Sequence, residues 1–376
     1  MSKIGVGIVG CGNISTAYLE LAPLFKSLEV RAVADIAPAA AQAQAAQFGV
    51  RAEGVGDLIK AGDIDMVVNL TVPKAHYEVS ARVLEAGKHS YSEKPFVLSL
   101  EEGEALRELA AKKGLRVGSA PDTFLGGAHQ LARATLDNEK IGKVVGGTAY
   151  VMSHGMEAWH PNPDFFFQTG GGPVLDLGPY YVTNLVQLLG PVRAVTAMTA
   201  ASFATRTIGN GPREGEEVPV DTPTNVHAIL EFASGALVTF GASWDVWAHR
   251  HANMELYGET GSLYLPDPNY FGGDVTLAAA GHDPVPLSWD HPFGRPNAED
   301  NSGTLRANYR TAGLAEMAAA IAQGRDHRAG LDLALHVVDV LTSILKSGAQ
   351  RDWVELTTTC DRPAALGPEE AAALLA

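Results

Sequence analysis

Three side chains in this sequence have the types and setting to move a proton at an alcohol or carbonyl oxygen. Lys94 stands in Ser92-Glu93-Lys94-Pro95, and Asp176 and Tyr180 stand in a segment running from Gly170-Gly171-Gly172 to Tyr180-Tyr181. An ammonium stabilises a growing alkoxide and can give up its own proton, a phenol can pass that proton on, and a carboxylate can orient either group. Asp176, Tyr180, Thr183 and Asn184 recur at helical spacing, so a helix through this segment would carry all four on one face. A lysine beside a glutamate is by itself most often a solvated pair. The weight therefore falls on the elements that must hold Lys94.

Those elements begin at the N-terminus. Ile4 to Val9 reads as a short buried strand running into Gly10-Cys11-Gly12-Asn13-Ile14-Ser15, a glycine turn that opens a helix. Gly10 permits the tight turn, and Gly12 has no side chain to keep a pyrophosphate away from the N–H groups of the helix start, around Asn13 and Ile14. Ser15 stands where a third glycine usually falls, and it is still small enough for close helix–strand packing. The next strand, Val30 to Ala34, ends in Asp35, at the separation expected of an acid that accepts hydrogen bonds from the adenosine ribose. Residues 36–39 offer no Arg or Lys to attract a 2′-phosphate, so NAD is favoured and NADP is the alternative. A cationic nicotinamide near Lys94 would make the ammonium easier to deprotonate, and an alcohol carbon could then pass a hydride to it.

Strands at Ile64–Leu70, His89–Ser92 and Arg116–Ala120 alternate with helices at Ala39–Phe48, Ala75–Ala86 and Leu100–Lys113, the pattern of a doubly wound parallel sheet. Thr71, Pro73 and His76 follow one strand and Glu93 and Lys94 the next, on the edge where such sheets bind ligands. We expect this first domain to span residues 1–122, with Gly10, Gly12, Asn13, Ile14, Asp35, Thr71, Pro73, His76, Glu93 and Lys94 at the cofactor.

From 123 to 376 the pattern changes. After a helix at Phe124–Asp137 come β-like runs at Val144–Ser153, Val192–Phe203, Asn225–Phe232, Ala236–Ser243, Asn253–Tyr257 and Ser262–Leu265. Few helices separate the later ones, which points to an antiparallel sheet. Helices at Thr304–Gln323 and Gly330–Lys346 close the domain, and the polar Gly/Pro-rich stretch Ile208–Val220 reads as an exposed loop or subunit contact. Substrate recognition is expected in residues 154–167, where Trp159, His160 and Phe166 supply aromatic faces and polar tips suited to a sugar ring, with Lys94, Asp176, Tyr180 and Thr183 completing the contacts. His154 with His160, or His249 with His251, lacks the carboxylate partners of a metal site, and no metal is expected.

A net charge of −15 disfavours nucleic acid and anionic membrane as partners, and no apolar run is long enough to span a bilayer. With only Cys11 and Cys360, neither a disulfide framework nor a cysteine zinc site is available, and we expect a cytoplasmic enzyme.

Taken together, GIVGCGNIS at the start, TVPKAH over Thr71 to His76, SEKP around Lys94 and GGGPVLDLGPYY around Asp176 and Tyr180 resemble the Gfo/Idh/MocA oxidoreductases, over almost the whole chain. The resemblance implies an N-terminal Rossmann domain and a C-terminal α+β domain with a large, mostly antiparallel sheet, often joining dimers or tetramers. It also implies NAD(P)-dependent oxidation or reduction of sugars, glycosides or cyclic polyols. Many members carry a histidine where this chain has Tyr180; tyrosine there is similar to the glucose-fructose oxidoreductase, anhydrofructose reductase and dihydrodiol dehydrogenase branches. We therefore expect Lys94 and Tyr180 as an acid/base pair with Asp176 assisting. The alternative is a catalytically silent NAD(P)-binding sensor of the same fold, which the presence of all three residues disfavours.

Overall fold

The computed structural model describes residues 3–300 and 303–376. Short segments, apolar in β1, β2 and β4, form a six-stranded parallel sheet: β1 Ile4–Val9, β2 Leu28–Ala34, β3 Arg51–Glu53, β4 Met66–Asn69, β5 His89–Ser92 and β6 Val117–Ser119. Their order is β3-β2-β1-β4-β5-β6, with the reversal of winding between β1 and β4. In a doubly wound sheet that point opens a crevice at the carboxyl ends of the strands. The connecting helices are α1 Asn13–Leu21, α2 Pro38–Phe48, α3 Val55–Lys60, α4 His76–Glu85 and α5 Leu100–Lys113. Val9, Ala32, Ala34, Val67, Val79 and Val83 form part of one core cluster, so the strands are buried by the helices that join them.

The second architecture is a nine-stranded mixed sheet. In chain order its environment comprises α6 Gly127–Asp137, β7 Val144–Met152, α7 Asp164–Phe167, α8 Gly172–Asp176, α9 Gly178–Leu189, β8 Val192–Ala200, the hairpin β9 Thr205–Thr207 and β10 Glu217–Pro219, then β11 Asn225–Phe232, β12 Leu237–Ser243, β13 Met254–Gly258, β14 Gly261–Leu265, β15 Val275–Ala279 and β16 Val285–Leu287. All pairings in the large sheet are antiparallel except β7 with β12. Val226, Ala228, Leu230 and Phe232 alternate along β11 as buried residues, the period-two pattern of a sheet covered on one face. Met198, Ile229 and Leu237 remain exposed.

Beyond residue 289 come a small β17–β18 ladder (Ala298–Glu299 and Leu305–Arg306), α10 Ala312–Gln323, α11 Leu331–Gln350, β19 Val354–Glu355 and α12 Pro368–Leu374. By compactness the chain divides into a first unit of residues 1–127, 290–335 and 363–376 and a second of 128–289 and 336–362. These units differ from the contiguous 1–122 and 123–376 read from the sequence, because α10 and the C-terminal tail return to the first. Asp122 receives the N–H groups of Thr311 and Gly313 at 3.0 and 2.9 Å, and the buried Glu316 binds Arg328, which in turn reaches Glu370. The helix expected from Thr304 starts only at Ala312, since Leu305–Arg306 pairs as a strand and Thr311 takes a left-handed φ of 94°.

Candidate active site

At β1 the chain turns through Gly10, whose φ is 103° and whose added Cβ would lie 2.5 Å from the Leu70 carbonyl. Gly12 precedes α1 without any side-chain cap, and a Cβ there would meet nothing within 4 Å. An uncapped helix N-terminus over an open glycine, with Asn13 exposed and Ile14 half-buried beside it, fits a pyrophosphate. Ser15, fully buried, turns its hydroxyl back to the Gly12 carbonyl at 2.6 Å, which lets serine stand in the third glycine's place. Asp35 accepts from the Cys11 N–H and the Ala37 N–H, both at 2.8 Å, so its carboxylate is fixed beside the glycine turn. Burial first, and then Asp35, push the Cys11 thiol up to about 11, which makes it inert at neutral pH.

The turns after β4 and β5 are tied together. Asn69, at the last position of β4, donates to the His76 carbonyl and to Ser80, and accepts from the Thr71 hydroxyl at 2.7 Å. His76 lies 2.7 Å from the Pro95 carbonyl through Nδ1 and 2.9 Å from the Thr71 carbonyl through Nε2. Burial holds its pKa below the ordinary value, against the pull of those carbonyls. Both ring nitrogens face backbone and the residue is 1% exposed, so His76 is a strut between two turns, not the direct cofactor ligand expected from the sequence. Thr71 and Pro73 stay half-buried on the turn it shapes. Glu93 is braced likewise: the Tyr18 hydroxyl donates to Oε1 at 3.0 Å, and the Lys94 backbone N–H donates to Oε2 at 2.9 Å. Lys94 is half-buried, and its bond to Pro95 is cis.

Asp122, just past β6 on the same carboxyl-end edge, is buried, and burial raises its pKa to about 6 despite two N–H donors and Arg310. A carboxyl with a raised folded pKa stabilises the fold below the unfolded value and loses that contribution as pH rises through the folded value. The two-unit shift is worth about 2–3 kcal/mol. Relative to wild type, Asp122→Asn should therefore gain about 2–3 kcal/mol between about pH 4 and pH 7. Denaturant unfolding at both pH values tests this, and parallel pH slopes for the two proteins would contradict it.

In the second unit, Asp176 ends α8 and Tyr180 lies in α9, with the helix interrupted at Leu177 (φ −107°, ψ −26°). The continuous helix face expected from the spacing is thus broken: Asp176 is half-buried, while Tyr180 and Thr183 are buried. Asn184 turns into the core, where Nδ2 meets His129 Nδ1 at 3.1 Å; His129, lowered to about 4 by burial, donates from Nε2 to the Tyr270 carbonyl.

The segment 154–167 is clamped by the β9–β10 hairpin. Ile208 and Val218 are buried with Phe167 and Trp244, and Phe166 packs against this cluster. Arg213 grips Asp164 with two hydrogen bonds (2.6 and 3.1 Å), and Asn210 holds the Trp159 carbonyl at 2.9 Å. The loop expected over 208–220 is therefore a scaffold: its polar composition hid two apolar anchors. Arg206, buried between the Phe167 and Phe203 rings, pairs with Glu157 at 3.0 Å and with Asp245. Trp159 is exposed, and the His160 ring meets Trp159, Phe165 and Phe166 edge-on. Sequence reasoning missed Asn69, Tyr18, Asp122 and Arg206; only Asn69, a polar residue closing a buried strand, left a visible signal. Among the described residues no group of three or more His, Cys, Asp or Glu is arranged to hold a metal ion, and no helix is long and apolar enough to cross a membrane.

Comparison with known proteins agrees with this architecture. Residues 4–120 match the model of the oxidoreductase family with an NAD-binding Rossmann fold, and residues 129–264 match the GFO/IDH/MocA C-terminal domain. The levoglucosan dehydrogenase of Pseudarthrobacter phenanthrenivorans is 25% identical over 75% of this chain and 78% of its own length. Inositol 2-dehydrogenase of Rhizobium meliloti is 25% identical over 65% and 72%. In three dimensions, a levoglucosan dehydrogenase in complex with NADH and L-sorbose superposes with a TM-score of 0.80 at 22% identity, over 95% of this chain and all of that one, which establishes the shared fold. With both halves matched across more than half its length, this chain belongs to the GFO/IDH/MocA family of oxidoreductases.

Proposed function

We propose that the protein transfers a hydride between NAD and a ring hydroxyl or ketone of a sugar, glycoside or cyclic polyol, with Lys94 and Tyr180 as the acid/base pair. The observation that carries this reading is the bracing of the Glu93-Lys94-Pro95 turn, at the carboxyl end of a buried strand, by Tyr18, His76 and its own glutamate. Such support for one lysine is what acid/base work at a fixed atom requires. Bound nicotinamide supplies the two-electron acceptor or donor. In the oxidation direction the neutral amine of Lys94 takes the hydroxyl proton as the hydride leaves, the ammonium so formed stabilises the charge growing on the oxygen, Tyr180 exchanges that proton onward, and Asp176 orients them. Relatives named for levoglucosan and inositol support a ring substrate. Trp159, His160, Phe166 and Thr183 are assigned to its recognition. A substrate deuterated at the carbinol carbon should deliver its deuterium to the nicotinamide; reduced cofactor without deuterium would sink the hydride step.

We assign NAD over NADP to the fixed carboxylate of Asp35, followed by the exposed, uncharged Ile36 and Ala37. Asp35→Asn keeps an acceptor but removes the charge, and its NAD-over-NADP preference in kcat/KM should fall about tenfold or more, from the usual strength of charged hydrogen bonds. An unchanged preference would reject the assignment. Two buried thiols need no oxidising compartment, which supports a cytoplasmic site; activity recovered only outside the cytoplasm would count against it. The exposed Met198, Ile229 and Leu237 on the large sheet support a dimer or tetramer, and a monomer by light scattering would refute that.

A further inference from the structure

The loop between β12 and β13 carries a side chain that the reading above leaves unused. Its first residues are laddered onto the start of the recognition segment: Ser153 N–H donates to the Ser243 carbonyl at 2.9 Å, Val246 N–H donates to the Ser153 carbonyl at 3.1 Å, and His154 bridges Asp245. Trp244 is buried in the core, and Asp245 is fixed by Arg206 and by the Thr224 hydroxyl at 2.8 Å. Immediately after these anchors, Trp247 emerges 83% exposed. Its indole is nonetheless oriented, because it stacks on the His154 imidazole at 3.6 Å and 12°, and that imidazole is itself 3.5 Å from Glu157.

We propose that Trp247 is an outer stacking platform for a second ring, so that the physiological substrate is a two-ring molecule: a disaccharide or a glycoside with a cyclic aglycone. The proposal rests on the sugar-dehydrogenase reading and narrows its substrate class. An indole whose one face is spent on His154 offers the other to the C–H face of a pyranose or to an aromatic ring. Its sequence neighbours Ala248, His249, Arg250 and His251 are exposed and mostly polar, which suits hydroxyls around a stacked ring better than the contiguous apolar surface of a protein partner. The reacting ring must be shielded from water during hydride transfer, and a side chain this open cannot shield it. Trp247 therefore serves the part of the substrate that projects outward from the recognition segment to which its loop is tied.

The test compares kcat/KM for glucose with that for cellobiose, maltose and para-nitrophenyl glucoside, using the full chain with NAD, as wild type, Trp247→Ala and Trp247→Phe. Wild type should prefer at least one two-ring substrate over the single ring. Trp247→Ala should lose about tenfold of that preference, the equivalent of 1.4 kcal/mol, and Trp247→Phe should keep most of it. A general structural role would lower both substrates alike and overturn the proposal, as would a wild type indifferent to the second ring. Dissociation of an oligomer by Trp247→Ala in light scattering would reassign the residue as a subunit contact. Calorimetric titration of the NAD-loaded protein with cellobiose and glucose reads the same contrast without turnover. If no ring substrate is oxidised, the dehydrogenase reading fails, and equal or absent binding of the two sugars then overturns the platform separately.

Discussion

Lys94→Met should bind NAD as wild type does and lose roughly 10²–10⁴-fold in kcat, the range expected when a positioned acid/base is removed. Methionine preserves the length and apolar stem of lysine but neither holds nor releases a proton. The surrounding brace does not depend on the ammonium: Glu93 accepts from the Lys94 backbone N–H and from Tyr18, and His76 meets the Pro95 carbonyl. The turn should therefore keep its shape in the variant, and Gly12, the uncapped α1 and Asp35 are untouched. Fluorescence titration with NADH and steady-state kinetics separate the two effects. A loss of cofactor affinity matching the loss of rate would mean that Lys94 binds the nucleotide and does no chemistry.

Arg206→Met should destabilise the protein by about 3–5 kcal/mol, because removing one partner from a buried ion pair strands the other. Here two carboxylates, Glu157 and Asp245, share one guanidinium, and all three side chains are at most 6% exposed. Their apolar surroundings, the Phe167 and Phe203 rings, cannot solvate what remains. In a unit of this size that corresponds to a fall of roughly 10 °C in Tm. The triple variant Arg206→Met, Glu157→Gln, Asp245→Asn, which leaves the site uncharged, should recover much of the loss, since it buries no unpaired ion. Calorimetry on the three proteins decides the matter. A triple variant no more stable than the single one would show that Arg206 acts through packing on the two phenylalanines.

The parts legible in the sequence share one property: their pattern is local. β1, β5, α5 and β11 have the bounds read from apolar periodicity and turn residues, and the glycine turn and Asp35 lie at the edge predicted for them. What escaped was decided by distant partners. Nothing in Thr304–Thr311 announces that Thr311 and Gly313 deliver their N–H groups to Asp122, nearly two hundred residues earlier, so the sequence pattern alone starts the helix too early. The stretch 208–220 reads as a solvated loop because only Ile208, Val218 and Val220 are aliphatic, and their packing depends on Phe167 and Trp244. His76 is placed at the ligand edge by its position after a strand, and Asn184 on a helix face by its spacing, whereas carbonyls at Thr71 and Pro95 occupy the first, and His129 with the sulfur of Met254 occupies the second. Buried polar side chains are hydrogen-bonded as a rule, and the partners of these two are backbone and core groups.

The central claim is most directly tested by following the reduced-nicotinamide absorbance when the purified full-length protein meets NAD and a panel of monosaccharides, glycosides, inositols and anhydro-sugars, with Lys94→Met alongside. The account predicts growth of the band with at least one ring polyol and its near abolition in the variant. Tight NAD binding with no change of absorbance in either direction across the panel would contradict it and identify the chain as a cofactor-binding sensor.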